Sequence, residues 1–210
     1  MESGCCIQCI ISEKRKGLGN MKKSLVEIME NSPIIASVKN EEGFETALKS
    51  RCDIVFIQFG TICSIGSLVK RAHENKKVTI VHLDLIDGIA NKESSVDYMN
   101  EVVGADGIIS SRAPVLRAAK MKGMYTVHRF FLIDSMSFHN LAKQYAASSA
   151  DVVEIMPGCV MPKVFKWVRE MIEAPIISSG LICEKEDAIS ALKNGAIAVS
   201  TSGTEVWDAL

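Results

Sequence analysis

The chain contains no apolar run near the roughly 18 residues that a membrane-spanning helix needs, and its N-terminus lacks the charged-then-apolar order of a secretory leader. The expected compartment is therefore cytoplasmic. It has no excess of either charge: 24 Lys and Arg stand against 25 Asp and Glu, a formal net charge of -1. No whole-chain field draws it to nucleic acid or to an anionic membrane, so RNA or DNA binding would need a local patch. A disulfide framework is missing too, because the seven cysteines are odd in number and irregular in spacing. They read as reduced thiols, with Cys52, Cys159 and Cys183 as small buried or half-buried residues. No aromatic RNP strand and no GXXG clamp is visible. Nor is there a compositional bias: 48% hydrophobic and 23% charged over 210 residues excludes disordered, collagen-like and coiled-coil classes.

Residues 1–20 stand apart. Cys5, Cys6 and Cys9 form a C-C-x-x-C cluster, but no second pair of cysteines or histidines follows at zinc spacing, so no metal site is expected. Lys14-Arg15-Lys16 followed by Gly17, Gly19 and Asn20 is basic, breaker-rich and aperiodic. It reads as a solvated tail or a nucleic-acid-contacting arm. Alternatively translation begins at Met21, since a Lys-Arg-Lys-Gly run can be encoded by an A- and G-rich stretch resembling a ribosome-binding site.

From Ser32 onward, short β-branched runs alternate with amphipathic segments. Eight strands are expected: 33–38, 53–59, 78–84, 107–110, 125–131, 151–156, 175–179 and 196–200. Between them apolar residues recur at three- and four-residue spacing, as in Ile65, Leu68, Val69 and Ala72, or Val164, Phe165, Trp167, Val168 and Met171. Near-continuous apolar strands joined by helical crossovers indicate a parallel sheet covered by helices. Eight such units predict a compact TIM-type (β/α)8 barrel with parallel strands, with a doubly wound open sheet as the alternative. The expected organisation is an N-terminal extension over 1–20, disordered or untranslated, and one barrel domain over 21–210. Turns such as Gly104-Ala105-Asp106-Gly107 and Ser149-Ala150-Asp151-Val152 launch strands, and belong at the stabilising bottom of such a barrel. Chemistry is expected at the strands' C-terminal ends.

Polar residues gather at those ends. Lys39 follows the first strand and Gln58 ends the second. His82 and Asp84 share parity on the third, Arg129 lies on the fifth, and Glu154 lies on the sixth with Lys163 beyond it. Residues two apart face the same side, so His82 and Asp84 are both expected in the barrel mouth, whereas His128 and Arg129 cannot both be. Several charges at one depth are expensive to bury by accident. The most specific signal comes last. Ser179-Gly180-Leu181 and Ser200-Thr201-Ser202 are small, hydroxyl-rich loops after strands 7 and 8, where barrels often hold phosphate on backbone N–H groups. The bland alternative is that Ser202 or Thr204 caps a final helix over 204–209.

At these residues the sequence resembles the glycerol uptake operon antiterminator regulatory proteins, which respond to glycerol 3-phosphate. The carrying segments are Ile34-Ile35-Ala36-Ser37-Val38-Lys39, Val81-His82-Leu83-Asp84-Leu85-Ile86-Asp87-Gly88, His128-Arg129-Phe130-Phe131, Val153-Glu154-Ile155-Met156-Pro157-Gly158, Ile177-Ser178-Ser179-Gly180-Leu181 and Ala198-Val199-Ser200-Thr201-Ser202. The likeness keeps its order from Pro33 to Trp207; family members more often have Gly-Gly where this chain has Ser179-Gly180. The resemblance implies a non-enzymatic regulator with no cofactor, glycerol 3-phosphate as effector, and the leader mRNA of glycerol-utilisation genes as partner, so that transcription passes a terminator. A homo-oligomer is possible. On this reading phosphate sits on the N–H groups of Gly180, Leu181 and Ser202, with Arg129 as a charge-assisted donor and Glu154, Asp84 and His82 near the glycerol hydroxyls.

Three basic clusters offer RNA contacts: Lys70-Arg71 with Lys76-Lys77; Arg112, Arg117, Lys120 and Lys122; and Lys163, Lys166 and Arg169. The rival is a phosphate-binding isomerase, epimerase or aldolase on the same scaffold. Lys39 would be its only strand-end Schiff-base lysine, or His82, Asp84 and Glu154 would hold a divalent metal.

Overall fold

A computed structural model describes residues 23–208; the cysteine cluster and basic run of residues 1–20 lie outside the described residues. Eight parallel strands close a barrel in sequence order. They are β1 (Ile34–Val38), β2 (Ile54–Ile57), β3 (Val78–His82), β4 (Gly107–Ser110), β5 (Tyr125–Phe131), β6 (Val152–Met156), β7 (Ile176–Ser179) and β8 (Ala198–Thr201). Helix α1 (Leu25–Asn31) precedes the barrel. The crossovers are α2 (Glu41–Lys49), α3 (Ile65–Glu74), α4 (Glu93–Tyr98), α5 (Ala113–Met121), α6 (Ser135–Ser148), α7 (Pro162–Met171) and α8 (Lys185–Lys193), and the single turn α9 (Thr204–Trp207) follows β8. The expected barrel is thus observed, and the open-sheet alternative falls.

Alternation along each strand sorts the side chains. Ile35, Ile54, Phe56, Ile80, Ile109, Val127, Val152, Ile177 and Ala198 fill the interior as one apolar cluster. Their outward neighbours, including Ala36, Val55, Val81, Ile108, Val153 and Val199, pack beneath the helices against Phe44, Leu68, Leu116 and Phe165. Two positions further along the same strands, the inward residues are Ser37, Gln58, His82, Arg129, Glu154, Ser179 and Ser200. The lower barrel is therefore apolar and the upper barrel polar.

Helix α1 was not anticipated. Its signal is Ser24-x-x-Glu27: the Ser24 hydroxyl accepts from Glu27 N (3.2 Å), and the Glu27 carboxylate accepts from Ser24 N (2.7 Å), a reciprocal capping box. Leu25 and Met29 join the interior cluster and close the barrel's lower end. The aspartate turns anchor that end. Asp106 Oδ2 accepts from Thr79 N (2.8 Å) and Oγ1 (3.1 Å), and Asp151 Oδ2 accepts from Thr126 N (2.9 Å) and Oγ1 (2.8 Å). Each carboxylate so fixes a helix-to-strand turn to the start of the neighbouring strand.

Three expectations need correction. β3 stops at His82, and Leu83–Leu85 form a 3-10 turn, so Asp84 leaves the strand and the parity argument ends there. Cys52 is buried, but Cys159 and Cys183 are exposed, because they sit on βα loops rather than in strands. Trp167, read as core, is 46% exposed; Phe165 and Val168 bury α7 instead.

Candidate functional site at the barrel mouth

A cavity of about 310 Å³ opens where the loops after β7 and β8 meet the ends of β1 and β2. All six residues expected to bind phosphate, Ser179, Gly180, Leu181, Ser200, Thr201 and Ser202, line it. The N–H groups of Gly180, Leu181 and Ser202 donate to no acceptor among the described residues. Gly180 (φ 79°) and Leu181 (φ 57°) are both left-handed, a conformation that favours glycine. A Cβ on Gly180 would also come within 2.9 Å of Met156 Cε. Ser179 by contrast ends a strand, where extended backbone accepts any side chain, so the Ser-for-Gly departure at this position is harmless.

The hydroxyls divide into braces and vacant donors. Thr201 Oγ1 donates to Ile182 O (2.7 Å) and accepts from Gly203 N (3.0 Å), which ties the two loops together. Ser200 Oγ is fully buried with no partner, and burying an unsatisfied hydroxyl costs about 1–3 kcal/mol. The bland alternative does not hold: the N-cap of α9 is Gly203, with no side-chain cap from Ser202 or Thr204. A one-turn helix has little dipole, so any attraction for an anion here would come from the loop amides themselves.

Of the five other expected ligand residues, none lines the cavity. Arg129 and Glu154 face each other in register on β5 and β6 and form a buried bidentate pair, Nε to Oε2 at 2.5 Å and Nη2 to Oε1 at 3.2 Å. Asp84 accepts from Ser110 Oγ (2.8 Å), Ser111 N (2.8 Å) and Ser111 Oγ (3.0 Å), pinning the 3-10 turn to the end of β4. Lys163 lies exposed on α7 with its ammonium over the Trp167 ring, 5.6 Å from the centroid. His82 does face the mouth, and neither ring nitrogen has a partner.

Burial, then the Arg129 charge, lowers the His82 pKa to about 4, against a smaller opposing pull from Asp84. His128 points outward, its Nδ1 2.8 Å from Ser148 Oγ, and burial again lowers it to about 4. Both rings are neutral in the fold but take up protons near 6.5 when unfolded. The stability they contribute is full above about pH 6.5 and is lost as pH falls toward 4. At pH 5 each is expected to cost about 2 kcal/mol. Urea unfolding of wild type and His128→Gln at pH 7 and pH 5 should show the smaller acid loss in the variant; equal losses would mean that His128 is not held neutral.

The cavity also recruits residues that the sequence reading left outside the phosphate site: Ser37, Lys39, Gln58, Met156, Cys183 and Gly203. Among the described residues, Lys39 is the single charged side chain in its wall. Ser37 was legible in principle, since it shares parity with inward Ile35 one step higher.

This arrangement has known counterparts. Residues 34–207 match the model of the family described as glycerol-3-phosphate responsive antiterminator. The chain is 43% identical over 183 residues to the uncharacterized protein YgcP of Escherichia coli (strain K12), covering 87% of this chain and 95% of that one. The crystal structure of a glycerol uptake operon antiterminator regulatory protein from Listeria monocytogenes superposes with a TM-score of 0.81 at 28% identity, covering 84% of this chain and 95% of that one. A glycerol uptake operon antiterminator-related protein from Thermotoga maritima gives 0.74 at 30% identity, covering 84% and 98%. Several barrel aldolases at 13 to 16% identity share the fold alone. The family match, which runs from β1 to α9 of this barrel, places the chain in the glycerol-3-phosphate responsive antiterminator family.

Proposed function

We propose that this protein is a cytoplasmic regulator that takes glycerol 3-phosphate into the β7–β8–β1–β2 cavity and, in response, binds the leader mRNA of glycerol-utilisation genes so that transcription passes a terminator. The cavity carries the reading: three undonated backbone N–H groups, an unpaired buried Ser200 hydroxyl and one lysine converge on a space sized for a small phosphate ester. Lys39 supplies the counter-charge, since Arg129 is already committed to Glu154. His82 offers a neutral nitrogen deeper in the mouth.

For RNA, the three basic clusters differ in how many of their side chains are engaged by the fold. Arg71 is paired with Glu41 and Glu45, and Lys77 donates to Ser50 O and Cys52 O. Arg117, Lys120 and Lys122 are engaged by Ala147 O, Asp151 and Asp97 respectively. On α7, Lys166 and Arg169 take part in no ion pair among the described residues. They flank a half-exposed Trp167 that can stack on a base. RNA is assigned to this face.

The enzyme reading loses its proposed ligands for a physical reason: Glu154 and Asp84 spend their carboxylates on Arg129 and on Ser110 and Ser111. Lys39 remains its strand-end candidate for a Schiff base, and it lines the cavity.

Thermal unfolding tests the sensor. Glycerol 3-phosphate should raise the melting temperature and glycerol should not; ligand at 100 times its Kd stabilises by about 2.7 kcal/mol. An equal response to both, or to neither, refutes the phosphate site. Filter binding of the leader RNA with and without ligand tests the output. Absence of ligand-dependent binding, together with turnover of a sugar phosphate, would establish the enzyme instead.

A further inference from the structure

The cavity has two chemically different halves. The β7 and β8 loops present three undonated backbone N–H groups, which suit phosphate oxygens. The neighbouring wall, on β1 and β2, presents a donor and an acceptor side by side. Gln58 Nε2 donates to Ser37 Oγ at 2.6 Å. Gln58 N also donates to Val38 O at 2.9 Å, which anchors the end of β2 against β1. One hydrogen of the Gln58 amide is given to Ser37, its Oε1 acceptor takes part in no hydrogen bond among the described residues, and the Ser37 hydroxyl proton remains to be given. Both residues line the same space as the phosphate loops. β1 lies directly against β8, with Ile35 opposite Ser200, so the two halves are adjacent around the wall. The unpaired, fully buried Ser200 Oγ marks the seam.

We infer that the Ser37–Gln58 pair reads the carbon next to the phosphate-bearing one and admits an alcohol there in preference to a ketone, making the site selective for a phosphorylated polyol over a phosphorylated keto sugar. This rests on the phosphate assignment made above. An alcohol can accept from Ser37 and donate to Gln58 Oε1 at once. A ketone oxygen can only accept, so it leaves Oε1 unpaired and sets two acceptors facing each other. A site built to bond a hydroxyl rejects the analogue lacking it because its own polar group is left without a partner. With Gln58 only half-buried, one such bond corresponds to about a tenfold preference.

The test measures calorimetric affinities of the full chain for glycerol 3-phosphate, for dihydroxyacetone phosphate, which is the ketone of the same carbon skeleton, and for inorganic phosphate. Wild type should prefer the alcohol about tenfold. Gln58→Met keeps the length of the side chain but removes the acceptor, and should bring the ratio of the two sugar phosphates to about one. Ser37→Ala frees the amide and should give an intermediate ratio. The ratio is the readout, so a general loss of affinity in a variant does not obscure it. Wild type that binds both sugar phosphates equally, or a Gln58→Met ratio unchanged from wild type, overturns the inference while leaving the phosphate site standing. Wild type that binds none of the three probes removes the phosphate site itself.

Discussion

Replacing Glu154 by Leu should destabilise the protein by about 3–5 kcal/mol. Glu154 is fully buried and holds Arg129 through two charge-assisted bonds. Without it the guanidinium, 6% exposed, is left as an uncompensated charge within the barrel. The companion Arg129→Met should be comparably damaging, for the reverse reason. The double variant should recover most of the loss, because two apolar side chains of similar volume remove the desolvation penalty with the pair. Urea unfolding at pH 7 of the two singles and the double closes the cycle. Additive losses would show that the residues do not act as a pair. A loss below about 1 kcal/mol in either single would show that the pair is solvated, as exposed ion pairs are. Because of this coupling, Arg129→Ala cannot serve as a clean test of ligand contact.

Lys39→Met is the clean test, and should weaken glycerol 3-phosphate binding about 10- to 100-fold. A hydrogen bond from a charged donor is worth about 1.5–3 kcal/mol, and Lys39 is the one charge in the cavity wall among the described residues. The residue is exposed on the rim just after β1, so its removal should leave the unfolding midpoint without ligand unchanged. Salt sharpens the result: wild-type affinity should fall with ionic strength more steeply than that of the variant. Equal affinity in the two proteins would assign the phosphate entirely to the loop amides.

The barrel was legible because its pattern is redundant. All eight strands occur where apolar β-branched runs were read, and the aspartate turns at Asp106 and Asp151 proved to be anchors at the lower end. That the loops after β7 and β8 line one cavity was legible for a local reason, since neighbours in sequence stay neighbours in space. The rest of the site was not, because it depends on which partner each side chain finds. Arg129 and Glu154 looked like ligand residues, yet cross-strand register pairs them with each other. Asp84 shared parity with His82 on paper, but the backbone turns at Leu83 and sends its carboxylate to Ser110 and Ser111. Lys163 followed β6 closely in sequence, but the helix it opens carries it to the outer surface. Ser37 and Gln58 gave the opposite error: uncharged residues at strand ends, they were left out of the cavity until barrel closure set β1 beside β8.

Helix α1, with Leu25 and Met29 seated among the lowest interior side chains, closes the foot of a barrel whose interior side chains already fill it. A small molecule has one rim by which to arrive and the same rim by which to leave, so anything that covers the rim controls both rates together. The chain enters the barrel at Lys23, whose carbonyl accepts from the Tyr125 hydroxyl at 2.5 Å at the closed end. The described chain therefore begins at the foot of the barrel, on the end away from the cavity at the β7 and β8 loops.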